Sequence, residues 1–427
     1  MQCCGGCFQG VFGRPVSTLK NKRGSEGMGL PSAMKKETVD TIVATAPVVA
    51  PKALDITKAF YGKMLREHPE LLDYFNPAHN VPISIHQPQA LAASIVEYAS
   101  NIQDLSPLLV PGGPVAAICH RHCALAIFPA QYSVVHDNLM ASIAKVLGPV
   151  VTPEIAAAWS EAVLFLAKAC IDTEESLYQM AEKRGGGWSG RMEFKVSEIK
   201  DVAEGIKSFS FKPPASSPLA GKRFEFTPGQ YLSLIVDPEG KNNTAPRHYT
   251  VTSPPGADYL QCTVKKIPGG KVSTYIHEKL RVGDTVKLTA PFGVYTLDSM
   301  DESVVLMSAG IGVTPMVNFK RALGGKVKLT VHVDSTPTAY AYRDIFAGSG
   351  SLLEIFTRIP GGKRPSPQAL VAQTLQNAGK ENTFYICGPE QWMDEVQKEL
   401  LKQGAKKVMC EVFGSQLATG CPFFQGR

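Results

Sequence analysis

No stretch of this chain approaches the roughly 18 uninterrupted apolar residues that a membrane-spanning helix requires. The nearest candidate, Ala156 to Ile171, is broken by Glu161 and Lys168 and reads as a core helix. A concentrated basic face is missing as well. Net charge is +6, from 44 Lys and Arg against 38 Asp and Glu. Residues 1–36 hold six of those bases (Arg14, Lys20, Lys22, Arg23, Lys35, Lys36) and one acid (Glu26), so this segment carries +5 and the other 391 residues only +1. That distribution argues against nucleic acid as a partner. The ten cysteines lack the spacing of a disulfide framework, and seven stand singly in apolar segments, as buried thiols of a reducing compartment do. Cys3, Cys4 and Cys7 are followed by no apolar core of signal-peptide length, which speaks against secretion.

What is present is the composition of a soluble globular protein, 44% apolar, 19% charged and 8% aromatic. At 427 residues the length predicts about three domains. Residues 1–36 are rich in Gly, Ser, Lys and Arg without hydrophobic periodicity. They read as a disordered or targeting leader. A cytoplasmic protein with an inert leader stands beside two alternatives, a mitochondrial transit peptide and a lipid anchor through the cysteines.

Residues 37–184 have helical periodicity throughout. Leu54, Tyr61 and Leu65 are expected on one helix face, Ala90 to Ala99 forms a further helix, and Tyr132 to Leu147 carries a stripe of Tyr132, Val135, Leu139, Ile143 and Val146. A last helix, opened by Thr152-Pro153, aligns Trp159, Val163, Leu166, Cys170 and Leu177. Glu174 falls on that apolar stripe, where a carboxylate must be partnered or neutral. This is an all-α domain.

After the Gly-rich linker at 184–190 the pattern changes. Residues 188–299 alternate as strands of a small antiparallel barrel, with Val286 to Ala290 expected to close it. Residues 300–415 repeat strand, Gly-rich turn and helix, the pattern of a parallel α/β sheet, and 416–427 is a tail. The fold class is therefore multidomain α and α/β.

Ser308-Ala-Gly310-Ile-Gly312-Val-Thr314-Pro315 runs from an apolar strand into a helix, where glycines let the backbone approach a pyrophosphate at the helix N-terminus. Tyr385-Ile-Cys387-Gly388-Pro389 ends a second strand in a small-residue turn on the same sheet edge. In the barrel, Arg247-His-Tyr249-Thr250 lies in a strand and Gly269-Gly270-Lys-Val272-Ser273-Thr274 opens a helix, a pairing suited to another pyrophosphate.

These motifs, in this order and followed by Glu411-Val-Phe413-Gly, resemble the ferredoxin–NADP reductase superfamily. The resemblance implies that Arg247, Tyr249 and Thr250 hold FAD, that Gly270, Val272, Ser273 and Thr274 meet its pyrophosphate, and that Tyr231 lines the flavin. It implies NAD(P)H at Gly310, Gly312, Thr314, Cys387, Gly388 and Pro389, and Phe413 over the flavin with Glu411 nearby. In the helical domain, Phe60-Tyr61, Tyr74-Phe75-Asn76, Gln87, His122, Tyr132 and Glu174 form the spaced signature of a globin.

Globin and reductase together resemble the flavohaemoglobins, which are nitric oxide dioxygenases, over about residues 38–414. By that resemblance His122 is the ligand of haem b iron, chosen over His120 because Tyr132 follows it by ten residues. Tyr132 and Glu174 would contact it, Tyr61 and Gln87 would face dioxygen, Leu91 would restrict the pocket and Phe75 would pack on the porphyrin. Pro88 after Gln87 disfavours helical backbone there, which sets Gln87 at a helix edge and leaves His86 as an alternative. Pro111-Gly-Gly-Pro114 shortens the helix of His122, which should start near Val115.

The expected activity is conversion of NO and O2 to nitrate with electrons passing from NAD(P)H through FAD to haem, in a monomer. The rival reading is a haem-based gas sensor or oxygen-binding globin with a resetting flavin reductase. Asp334, after the strand Leu329 to Val333, favours a free ribose hydroxyl, whereas Arg343, Arg358 and Lys363 are placed to meet a phosphate, so NADH and NADPH both stay open.

Overall fold

The computed structural model describes residues 30–110, 112–240, 246–297, 299–347, 351–411 and 413. The expectations for the leader cysteines and for the tail lie outside the described residues.

The first module is helical: α1 (Lys36–Val49), α2 (Ala53–Glu67), α3 (His86–Ser100), α4 (Ser106–Leu109), α5 (Pro114–Leu125), α6 (Ala130–Leu147) and α7 (Pro153–Lys183). Local chemistry sets the ends. Thr152 accepts from the Ile155 N–H at 3.3 Å to cap α7, with Pro153 in its first turn. Pro114 opens α5, and Ala126 ends it in the left-handed region at φ 62°. The face of α2 that enters the core is Ala53, Ile56, Thr57, Phe60, Tyr61 and Met64. The expected Leu54 and Leu65 are only half-buried, because at 3.6 residues per turn both fall at the edge of the arc that these six residues span. Of the α6 stripe, Leu139 and Ile143 are buried, while Tyr132, Val135 and Val146 pack against the same core.

The second module is a six-stranded antiparallel sheet: β1 (Arg191–Ala203), β2 (Ile206–Lys212), β3 (Tyr231–Ile235), β4 (Arg247–Thr250), β5 (Leu260–Lys265) and, after α8 (Lys271–Glu278), β6 (Thr285–Thr289). Its order is β4-β3-β6-β1-β2-β5. Thus β6 lies in the middle of the sheet and does not close it. Closure comes from the chain beyond β4, where Val251 bridges Cys262 and the Thr252 N–H bonds the Gln261 carbonyl at 2.8 Å. The hydrophobic pattern marks β6 as a buried strand but carries no information on which neighbour it pairs with.

The third module holds β7 (Val304–Ala309), α9 (Val313–Leu323), β8 (Val327–Asp334), α10 (Arg343–Ala347), β9 (Ser351–Phe356), α11 (Pro367–Ala378), β10 (Thr383–Cys387), α12 (Glu390–Lys402) and β11 (Lys407–Glu411). All four strand pairings are parallel, in the order β11-β10-β7-β8-β9. The order reverses between β7 and β10, so the crevice beyond their carboxyl ends is the topological switch point at which such sheets bind ligands.

The helical and barrel modules share one core. Cys123, Ala124, Ala126, Phe128 and Tyr178 pack in the same buried cluster as Phe194, Phe209, Leu232, Leu234 and Phe292. No described helix is long and apolar enough to cross a membrane.

Candidate active site

On one side of the helical module, α5, α6 and α7 bring together three residues spread over 52 positions. His122 Nδ1 lies 2.8 Å from Glu174 Oε1 and 3.1 Å from the Tyr132 hydroxyl. Tyr132 donates to the same Glu174 oxygen at 2.5 Å. Glu174 is 2% exposed, so its partners answer the demand that a carboxylate on an apolar stripe makes. Burial first, then the charges of Cys170 and Glu174, push the Tyr132 phenol far up, and it keeps its proton. A carboxylate can only accept, so Nδ1 presents the hydrogen to Glu174 and Nε2 is the ring nitrogen left outside the trio. Among the described residues no group of three or more His, Cys, Asp or Glu side chains is arranged to hold a metal ion. A lone imidazole of this kind would suit a metal whose other ligands come from a cofactor.

His120 has another task. Its Nδ1 accepts from the Gly293 N–H at 3.0 Å and its ring meets Phe292 edge-on at 6.4 Å. Burial lowers its pKa to about 4 and keeps it neutral. It belongs to the barrel interface. The helix of both histidines has twelve residues and begins at Pro114, one residue before the expected Val115.

Also in the helical module, Tyr61 is buried on α2 with Phe75 edge-on at 5.7 Å. Burial pushes its phenol up, and the neighbouring Gln87 side chain pulls it back. Gln87 stands in the first turn of α3 despite Pro88, since a proline there removes only an N–H that has no helical partner. Thr57 Oγ1 donates to the Pro88 carbonyl at 2.8 Å and pins that turn onto α2. His86 is exposed and faces His79 edge-on at 6.3 Å, so the polar group beside Tyr61 is Gln87. Leu91, one turn further along α3, is half-buried against the same core.

A residue the sequence did not single out, Asn80, completes this side. It is fully buried, and its Nδ2 donates to Gln87 Oε1 at 2.8 Å and to the Asn76 carbonyl at 3.2 Å. The loop it occupies has no periodicity to mark it.

In the barrel, Tyr231 exchanges backbone hydrogen bonds with Phe292 at 2.8 and 2.9 Å and stacks its ring on His248 at 4.9 Å. His248 Nε2 is buried without a hydrogen-bond partner among the described residues, and burial takes its pKa down to about 3. A buried ring nitrogen of this kind is what a polar-edged ring beside Tyr231 would satisfy. Arg247 and Tyr249 flank His248 on β4, both largely removed from water, while Thr250 is buried. A Cβ on Gly270 would stand 2.6 Å from Ser273 Oγ and 3.0 Å from the Ile267 carbonyl, so the turn before α8 tolerates only glycine. Ser273 spends its hydroxyl within that turn, accepting from the Ile267 N–H at 3.2 Å, and Val272 turns its side chain into the barrel core. Both are thus limited to backbone N–H contacts with a phosphate, and Thr274 is half-buried one position on.

At the switch point Gly310 has φ 54° and Gly312 sits against β10, where a Cβ would fall 2.2 Å from the Cys387 carbonyl. A Cβ on Gly388 would stand 2.9 Å from Trp392 and 3.0 Å from Ala309 Cβ. Thr314 turns its hydroxyl back to the Ile311 carbonyl at 3.1 Å, and Pro389 precedes α12. Ser308, Cys387 and Glu411 stand level on β7, β10 and β11. Burial raises the Glu411 carboxyl to about 7, with the Arg121 charge opposing. Phe413, just past β11, is 48% exposed.

At the end of β8, Asp334 takes the Ser335 N–H at 2.6 Å and His332 Nε2 at 3.2 Å, and His332 Nδ1 pairs with Ser308 at 2.8 Å. Burial alone would raise the Asp334 carboxyl, but these bonds hold it below its ordinary range. Arg343 is committed to Glu354 by two bonds of 2.7 and 2.8 Å.

Comparison with known proteins agrees with this architecture. Residues 58–170 match the Globin family model and residues 193–296 that of the oxidoreductase FAD-binding domain. The chain is 33% identical over 408 residues to a flavohemoprotein of Rhizobium meliloti, covering 90% of this chain and 99% of that protein. It is 31% identical to flavohemoprotein A of Dictyostelium discoideum, with 90% and 98% covered. Among solved structures, a flavohemoglobin of Malassezia yamatoensis with bound FAD and heme superposes with a TM-score of 0.75 at 25% identity, over 90% of this chain and 100% of that one.

Proposed function

The chain belongs to the flavohaemoprotein family of oxidoreductases, and from that premise we propose that it is an NAD(P)H-dependent nitric oxide dioxygenase. NO, O2 and one electron give nitrate, so each hydride taken from NAD(P)H serves about two turnovers. Haem b, FAD and NAD(P)H are the cofactors, and when bound they supply dioxygen binding, the division of a hydride into single electrons, and the hydride itself.

The observation that carries this reading is the hydrogen-bonded trio of half-buried His122 and Tyr132 around buried Glu174. Glu174 accepts from Nδ1–H and so raises the electron donation of Nε2, the nitrogen offered to iron. Tyr132 shares the carboxylate and holds it in place. A ligand tuned in this way serves oxygen chemistry better than reversible storage.

Tyr61, with Gln87 beside it, would offer its hydroxyl proton to a partly anionic diatomic ligand. Leu91 and Phe75 exclude water from that space. In the barrel, Arg247, Tyr249 and Thr250 would hold the flavin and its phosphates, with backbone N–H groups of Gly270, Val272, Ser273 and Thr274 on the pyrophosphate and Tyr231 along the ring. Gly310, Gly312, Thr314, Cys387, Gly388 and Pro389 would receive the pyridine nucleotide, and Glu411 and Phe413 would border the flavin from the sheet side.

The test is NADH-dependent NO consumption under air by protein that displays both a Soret band and a flavin spectrum. Nitrate formed in step with NO loss is the expected result. Absence of NO-dependent nitrate in protein replete in both cofactors would rule the proposal out.

A further inference from the structure

The last four carbonyls of a helix have no partner within it. In α5 these belong to His122, Cys123, Ala124 and Leu125. The chain itself satisfies the first two as it turns through left-handed Ala126: the Ile127 N–H bonds the His122 carbonyl and the Ala126 N–H bonds the Cys123 carbonyl, each at 3.0 Å. The other two are satisfied from the barrel. Ser233 Oγ, on β3, donates to the Ala124 carbonyl at 2.5 Å, and Arg191 Nη2, the first residue of β1, donates to the Leu125 carbonyl at 3.3 Å.

Neither donor is a chance surface contact. Ser233 is 0% exposed, in the middle of a barrel strand. Arg191 also bonds the Asp73 carboxylate at 2.5 Å and the Asp73 carbonyl at 3.1 Å, and lies 4.7 Å from the centre of the Tyr74 ring. Phe75, whose ring meets Tyr61 edge-on, follows Tyr74 directly. Towards the start of α5, His120 receives the Gly293 N–H. The barrel thus grips the helix on both sides of His122 and completes its open end.

We propose that Ser233 and Arg191 are positioning residues for the iron ligand: the flavin barrel, not the globin module, finishes the helix that carries His122 and so fixes its ring against Glu174. The inference rests on the haem reading above for the ligand's role, while the capping itself is a property of the chain alone.

The test uses the full-length chain with Ser233→Ala, which removes the hydroxyl at nearly constant volume, and Ser233→Thr, which keeps it. Three quantities are read: hydrogen exchange of the peptide spanning residues 116–132 in chain without haem, haem transfer to apomyoglobin, and the ferrous iron–histidine stretch by resonance Raman. NADH-driven ferricyanide reduction monitors the flavin module. For Ser233→Ala, exchange in that peptide and haem transfer should each rise about tenfold, as loss of one buried bond predicts. The iron–histidine band should shift, Ser233→Thr should stay near wild type, and ferricyanide reduction should hold within about twofold. Arg191→Lys should show the same pattern, with Ser233→Ala carrying the test if that variant does not fold. Unchanged exchange and haem transfer would overturn the proposal, and so would increased exchange spread evenly over the whole helical module. Failure of the wild-type chain to take up haem would instead sink the haem reading and leave the exchange arm to decide the capping.

Discussion

Asn80 Nδ2 donates to Gln87 Oε1 at 2.8 Å, and this bond orients the Gln87 amide beside Tyr61. With its oxygen occupied, Gln87 has only its amide nitrogen to turn towards Tyr61, and a nitrogen donor makes the phenol oxygen an acceptor. The phenol proton is then free for a ligand. Asn80→Ala releases the Gln87 amide to reverse and take that proton. Dioxygen dissociation from the ferrous protein should speed up about fivefold, and Tyr61→Phe should speed it more, about tenfold or beyond, in line with loss of one hydrogen bond to a charged acceptor. Stopped-flow oxygen release measures both. In each variant, cytochrome c reduction through FAD should stay at the wild-type level. An unchanged off-rate in Tyr61→Phe would remove that residue from the oxygen pocket.

On the other side, Glu174→Gln keeps the shape of the trio but replaces a charged acceptor by a neutral one. The ferrous iron–histidine stretch should fall in frequency and NO turnover should drop about tenfold, while flavin reduction by NADH is unaffected. His122→Ala should abolish ordinary five-coordinate ferrous spectra. If those spectra persist, the iron is held elsewhere.

These groups differ in how visible they are before folding. Glu174 is legible because a carboxylate on an apolar stripe needs a partner, whereas His122 and Tyr132 are singled out by the resemblance to the flavohaemoglobins. The Gly312 turn is legible because glycine there has a reason, the Cys387 carbonyl 2.2 Å from where a Cβ would be. Asn80 is not, since it sits in an aperiodic loop and acts through tertiary contact alone. Arg191 and Ser233 carry no signal either: each reads as an ordinary strand residue, and their partners are backbone carbonyls of another module. The position of β6 inside the sheet belongs to the same class, because strand order is set by long-range pairing that alternation does not encode.

Asp334 is anchored by Ser335 and by the His332–Ser308 pair at the end of β8, where the ribose of a bound nucleotide is expected. An ionised carboxylate there repels a 2′-phosphate, and Arg343, tied to Glu354, does not compensate. The wild type should favour NADH, and Asp334→Ala should shift the ratio of kcat/KM for NADH over NADPH about tenfold towards NADPH, measured with ferricyanide as acceptor. His332→Gln should move the ratio the same way by a smaller factor. A ratio indifferent to Asp334 would place recognition of the 2′ position on Arg358 or Lys363.

The half-buried Glu411 carboxyl gives a pH dependence of definite sign. Burial raises it from an ordinary value of 4.5 to about 7, so the fold disfavours its charged form. Below pH 4.5 the group is protonated in both folded and unfolded chains and costs nothing. Between 4.5 and 7 the unfolded chain releases the proton while the folded one keeps it, and stability falls steadily. Above 7 the cost is constant, at up to about 3 kcal/mol. Glu411→Gln removes that cost. The variant should therefore have a clearly higher urea midpoint than wild type at pH 8, a smaller gain at pH 5.5, and almost none near pH 4.5. A gain that is the same at all three pH values would mean that packing, not the charge, separates the two chains. A loss at pH 8 would mean that the ionised carboxylate is held by Arg121 more strongly than burial opposes it.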